Sequence, residues 1–207
     1  TATVTTTTRH QEALQVIQAR KPLGQRAHGP LVGIRSIHDR PAEVADRKVP
    51  GHWEGDLIIG RAGKTAAATL VERTTRFTAI LSLPLGKDST GVADALIEHT
   101  AVLPALFRKT LTWDQGSERA RHAHLAAVTG IDVYFADPHS PWQRGSNENT
   151  NRRIRRYLPK GTDITDHQPY LNAIAEELNE MPLKCLDWLT PREAHERLLT
   201  SEVASTA

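Results

Sequence analysis

Three short apolar runs, 52–59 (HWEGDLII), 65–72 (TAAATLVE) and 76–83 (RFTAILSL), follow one another with only the turns at Arg61–Gly63 and Arg73–Thr75 between them. Runs of this length, bounded by turn residues, form strands. A parallel pair needs a long crossover, so connections this short allow only antiparallel neighbours. The chain is therefore committed to a three-stranded meander before the rest of it is considered.

Downstream the period changes. Val92, Ala95, Leu96 and His99 recur on one face and predict a helix over 90–106. Residues 109–113 (KTLTW) form a strand ending at Asp114, and residues 117–128 form a helix that Ser117 opens and Gly130 closes. A fifth strand follows at 131–135 (IDVYF). After the loop 137–145 (DPHSPWQRG) a helix runs from 147 to 158 and stops at Pro159, and helices at 167–180 and 191–199 end the chain. Three antiparallel strands and then helix–strand–helix–strand–helix is the element order of the ribonuclease H-like fold, an α/β fold with a mixed five-stranded sheet flanked by helices. Residues 1–48, low in complexity and then basic with Pro and Gly, read as a flexible arm or linker. The core is expected over 49–165 and a C-terminal helical extension over 166–207.

Composition narrows the function classes. No apolar run approaches the roughly 18 residues of a membrane span, so no membrane partner is expected. A single cysteine, Cys185, excludes an intrachain disulfide and a cysteine-rich zinc site, and suits a cytoplasmic location. Net charge is only +2, but between Arg144 and Lys160 six basic residues face one acid, Glu148. A local excess of that kind is where a polyanion binds.

Asp56 interrupts an apolar strand, where a carboxylate must be paired, face a cleft or hold a metal. Asp114 sits at the carboxyl end of a strand, the favoured position for ligand sites in α/β sheets. Glu148 opens a helix after a loop bearing Pro and Gly. Carboxylates on three different elements can converge on two Mg²⁺ ions, hard cations that take oxygen ligands. Such a pair suits in-line displacement at phosphorus.

The stretches 50–60 (PGHWEGDLIIG), 111–117 (LTWDQGS) and 133–151 (VYFADPHSPWQRGSNENTN) resemble the three catalytic blocks of the insertion-sequence-thirty-family transposases, members of the DDE group alongside retroviral integrases. Glu148 lies 34 positions after Asp114, the spacing of that group, and Arg155 stands where the family has a basic residue. The resemblance continues through 159–163 (PKGTD) and 188–191 (WLTP) and covers about 40–195. It implies that Asp56, Asp114 and Glu148 are the catalytic metal ligands for two Mg²⁺ (or Mn²⁺) ions. It further implies cleavage at insertion-sequence ends and strand transfer. The expected partners are double-stranded DNA, as terminal inverted repeats and target, and further copies of the chain assembled on it. The alternative is a catalytically idle, truncated remnant that only binds DNA.

At 100° per residue, Asn151, Arg152 and Arg155 fall within about 60° of Glu148. With Trp142, Arg144 and Asn147 they form the expected DNA-binding set, the arginines gripping phosphates and Trp142 stacking an unpaired base. Arg153, on another face, reads as solvated. The acids near the blocks, Glu54, Glu72, Glu118 and Asp137, read as pairing or capping residues. His122 and His124 diverge by about 200° on a helix and cannot share one ion, and Tyr134, Tyr157 and Tyr170 stand in no nucleophile motif.

Overall fold

The computed structural model describes residues 35–114 and 121–206, with side chains as far as 201. Most of the expected arm, the Ser117 cap and Glu118 lie outside the described residues. The strands are β1 (Arg35–Ser36), β2 (His52–Ile59), β3 (Ala66–Glu72), β4 (Thr78–Leu83), β5 (Thr110–Trp113) and β6 (Asp132–Phe135). The helices are α1 (Glu43–Asp46), α2 (Ser89–Ala101), α3 (His122–Thr129), α4 (Gly145–Ile154), α5 (Gln168–Asn179) and α6 (Pro191–Thr206). One sheet in the order β1-β6-β5-β2-β3-β4 carries them. The meander β2–β3–β4 is antiparallel, and β5, β6 and β1 add in parallel on the other side of β2.

The sheet has six strands where five are expected. The added strand is the two-residue β1, in which Arg35 pairs with Tyr134 and Ser36 with Phe135. Residues 35–48 therefore do not behave as a linker. Ile37 and Val44 are buried, and Arg40 reaches the Thr112 hydroxyl at 3.1 Å. Two residues are too few to show a strand period.

Alternation along β2 divides the core between the two faces of the sheet. Trp53, Leu57 and Ile59 pack with Val92 and Leu96 of α2 and Leu125 of α3. Ile58, with Ala67 and Ile80, packs against Ile154, Leu171 and Leu178 from α4 and α5. Glu54 and Asp56 share the face of Ile58, beneath α4.

Helix α5 buries Leu171, Ile174, Ala175 and Leu178, spaced as one helical stripe. Its ends also satisfy the free edge of β4. Asn179 accepts from Thr78 N at 2.8 Å and donates to Thr78 O at 2.9 Å, while Gln168 accepts from Ser82 N and donates to Ile80 O, both at 2.7 Å. Covering an edge this way blocks pairing with another chain, and it makes the residues beyond 165 part of the same packed unit. Helix α6 docks through His195, whose ring lies stacked between Phe77 and Phe107 at 4.4 and 3.9 Å. Among the described residues no helix is long and apolar enough to cross a membrane.

Candidate active site

Parallel pairing of β2 with β5 brings two of the expected acids together. The register sets Glu54 beside Thr112, and carried two residues on it sets Asp56 beside Asp114, just past the end of β5. Gly55 makes the approach possible. A Cβ there would lie 2.1 Å from the ring of Trp113, the residue before Asp114. Asp56 is mostly withdrawn from solvent, its side chain 31% exposed, whereas that of Asp114 is 48% exposed.

One guanidinium bridges them. Arg144 Nη1 lies 3.2 Å from Asp56 Oδ1, and Nη2 lies 3.1 Å from Asp114 Oδ2. Nη1 also donates to the Gly55 carbonyl at 3.3 Å. Arg144 is buried, so its attraction for the two carboxylates is little screened. Burial raises the Asp56 carboxyl above its ordinary value; Arg144 and the Leu57 amide oppose this, and Asp114 adds to it. The aspartates thus repel each other across a space that a positive charge fills.

Helix α4 is set on this face by a buried acid. Glu54 Oε2 accepts from the amides of Ser146 (2.8 Å) and Asn147 (3.0 Å), two of the donors a helix N-terminus leaves unpaired. Its other oxygen pairs with Arg73, and both side chains are buried. Asn147, fully buried, donates to the carbonyls of Glu54 (2.9 Å) and Thr69 (3.0 Å). One turn on, Asn151 donates to Asp56 Oδ2 at 3.2 Å, and its own Oδ1 is buried without a partner. Glu148 is exposed on the turn before Asn151. Its carboxylate is not grouped with the aspartates, and among the described residues no three acidic, histidine or cysteine side chains form a cluster that could hold a metal ion. The donors nonetheless suit a hard cation. Two aspartates already share one positive group, and an unpartnered amide oxygen lies beside them.

The remaining expected DNA contacts fall into two groups. Trp142 is 71% exposed, in the turn before α4, and Arg152 is exposed on α4. Arg144, Asn147 and Asn151 instead point inward at the acids and strands. Arg155 caps the end of α4, donating to the carbonyls of Ile59 (3.1 Å) and Leu158 (3.3 Å). Arg153 is not the solvated residue expected. It is half-buried, burial lowers its pKa, and it lines a cavity on the far side of α4. Glu54, Glu72 and Asp137 are pairing and capping residues: Glu72 accepts from Thr75 N (2.6 Å) and Gly51 N (3.1 Å), and Asp137 accepts from Gln143 (2.7 Å). The inward roles of Arg144, Asn147 and Asn151 had no signal in the sequence, because their partners lie on strands distant along the chain.

A sheet of this order, with two aspartates meeting where β2 and β5 adjoin, defines a ribonuclease H-like integrase core. Residues 46–141 match the integrase core domain family. The transposase for insertion sequence element IS1086 of Cupriavidus metallidurans is 49% identical over 182 residues, 86% of this chain and 52% of that protein. Transposase InsI for insertion sequence element IS30C of Escherichia coli is 47% identical over 175 residues, 84% of this chain and 45% of that protein. The transposase for insertion sequence element IS4351 of Bacteroides fragilis is 34% identical over 180 residues, 86% and 55% of the two chains. Over most of its length the chain is thus similar to transposases of insertion sequence elements, those of the insertion-sequence-thirty family among them. It spans about half the length of the curated relatives it matches.

Proposed function

We propose that this chain is the catalytic core of a DNA transposase. It would hydrolyse a phosphodiester at the end of a mobile element, water adding to phosphorus as the 3′-oxygen leaves with a proton. The freed 3′-hydroxyl would then attack a phosphodiester of target DNA, displacing that strand's 3′-oxygen. The observation that carries the reading is the convergence of Asp56 and Asp114 on one cation at the junction of two parallel strands.

Asp56, Asp114 and Glu148 would hold two Mg²⁺ or Mn²⁺ ions. Bound there, such ions supply Lewis acidity toward the attacking and leaving oxygens. The chain's own residues do the rest. Glu54 fixes the start of α4 and Arg155 its end, so the helix bearing Glu148 is held at both termini against β2. Asn151 orients the Asp56 carboxylate. Arg152 and Trp142, both exposed, would meet the DNA, one on a phosphate and the other on an unpaired base. Terminal inverted repeats and target duplex are the proposed partners, bound by more than one copy of the chain.

A strand-transfer assay with a labelled duplex bearing an element end, in Mg²⁺, tests the reading. A transposase joins strands, a nuclease of the same fold only cuts, and an idle remnant does neither. Asp114→Ala should abolish both steps while DNA binding persists. Cleavage that survives this substitution in a nuclease-free preparation would overturn the site.

A further inference from the structure

Away from the aspartates, on the far side of α4, lies the cavity beside Arg153, of about 350 Å³. Three arginines from three separate stretches line it: Arg47 after α1, Arg76 in the turn between β3 and β4, and Arg153 on α4. Ser146, Asn149 and Thr150 add neutral polar groups, and no carboxylate is among the lining residues. Arg76 Nη1 donates to Ser146 Oγ at 2.6 Å, which leaves the Ser146 hydroxyl hydrogen for another acceptor. The nearby carboxylate of Glu54 is engaged by Arg73.

Burial and then Arg76 and Arg73 lower the Arg47 guanidinium from its ordinary value, and burial and then Arg156 lower that of Arg153. These charges are crowded with no counter-ion among the lining groups. Arg47 and Arg76 also hold left-handed backbone, at φ 59° and 63°, a conformation that a residue with a Cβ adopts only at a cost. Glycine or asparagine would take either position more readily, so the local backbone does not account for arginine there.

We propose that this cavity binds a backbone phosphate of DNA, one distinct from the phosphate being cut. Guanidinium forks match phosphate oxygens in geometry and charge. Successive residues on a helix turn by 100°, so Ser146, Asn149 and Arg153 lie largely on the opposite side of α4 from Asn147, which faces the strand carbonyls, and Asn151, which faces Asp56. A helix with its side chains is about 10–12 Å across, so a phosphate held here is not the one at Asp56. Helix α4 would then sit between two phosphate contacts, one on its catalytic side and one on its far side.

The inference rests on the reading of the chain as a transposase core, and the test separates the two. The 207-residue chain is titrated with a fluorescent duplex across a salt series, alongside Arg47→Gln, Arg153→Gln and Arg156→Gln. Removing a single arginine–phosphate pair should flatten the salt slope of log affinity by about one. Arg47→Gln and Arg153→Gln should each do so, with affinity falling about tenfold at low salt, while exposed Arg156→Gln changes both less. Inorganic phosphate should raise the melting temperature of the wild type and not of the Arg47→Gln/Arg153→Gln double variant. Equal losses from all three single variants would reduce the cavity to general basic surface, and unchanged slopes would overturn it outright. Phosphate stabilisation without a change in DNA slope would make it a small-anion site and also overturn the proposal. Arg47 is more exposed than Arg153, so its variant remains informative if Arg153→Gln fails to fold. A chain that shows the slope changes yet neither cuts nor joins DNA keeps the cavity and loses the transposase reading; a chain that cuts and joins with equal slopes does the reverse.

Discussion

Arg144 lies 3.2 Å from Asp56 and reaches Asp114 with its other terminal nitrogen, so a side chain of the loop before α4 occupies the space between two acids on neighbouring strands. A guanidinium there offsets a repulsion that would otherwise push the strand ends apart. In Arg144→Gln the two carboxylates face each other without it. We expect a loss of about 2–3 kcal/mol in metal-free stability, below the range for fully buried pairs because both acids are partly solvated. Mg²⁺ or Mn²⁺ should recover more melting temperature in this variant than in the wild type. Equal metal-induced shifts in the two proteins would mean that Arg144 and the cations do not share this space.

Glu54 joins the central strand to the helix that carries Glu148. Glu54→Ala leaves Arg73 buried without its partner and exposes two helix amides, so we expect about 3–5 kcal/mol of destabilisation. Urea titration measures it. Under conditions where the variant is still folded, cleavage should fall as well, because Glu148 is no longer positioned. A loss under 1 kcal/mol would show that the pair is not buried in solution.

Gly55 carries a packing constraint on the distance between the two aspartates. Trp113 is only 3% exposed, so its ring cannot retreat from a new methyl group. Overpacking of this kind costs about 1–3 kcal/mol. Gly55→Ala should lower the unfolding midpoint by that amount and weaken metal-dependent cleavage through the displaced end of β5. A wild-type midpoint would mean that β2 and β5 separate freely here.

His195 gives α6 a pH dependence. Burial between the two phenylalanine rings, and then Arg192, lower its pKa to about 4. In the unfolded chain the imidazole titrates near its ordinary value of roughly 6.5. Between those values the unfolded chain binds a proton that the folded chain refuses. The contribution of His195 is therefore complete above about pH 6.5 and is lost as the pH falls toward 4. His195→Phe keeps an aromatic ring in the stack and removes the titration, so its melting temperature should fall less between pH 7 and pH 5. His52 and His99, both also lowered mainly by burial, contribute to the dependence that remains. Identical pH profiles for the two proteins would remove His195 as a cause.

Local pattern carried much of this protein. The alternation of 52–59 was enough to place Glu54 and Asp56 on one face, and the structure gives that strand the same limits. Turn residues set the meander, and the spacing of Asp114 and Glu148 pointed to the family. Each of these is a relation between near neighbours or a fixed count along the chain, and such relations are written in sequence. The tertiary structure decided the rest. Arg155 left the expected helix face because α4 ends at Ile154, and an angle of 100° per residue holds only while the helix continues. Arg153 acquired its surroundings from Arg47 and Arg76, which local periodicity cannot relate to it. The same is true of β1 against β6 and of Arg144 between its aspartates. Those contacts close long loops, and which loops close depends on the packing of the whole sheet rather than on any segment of it.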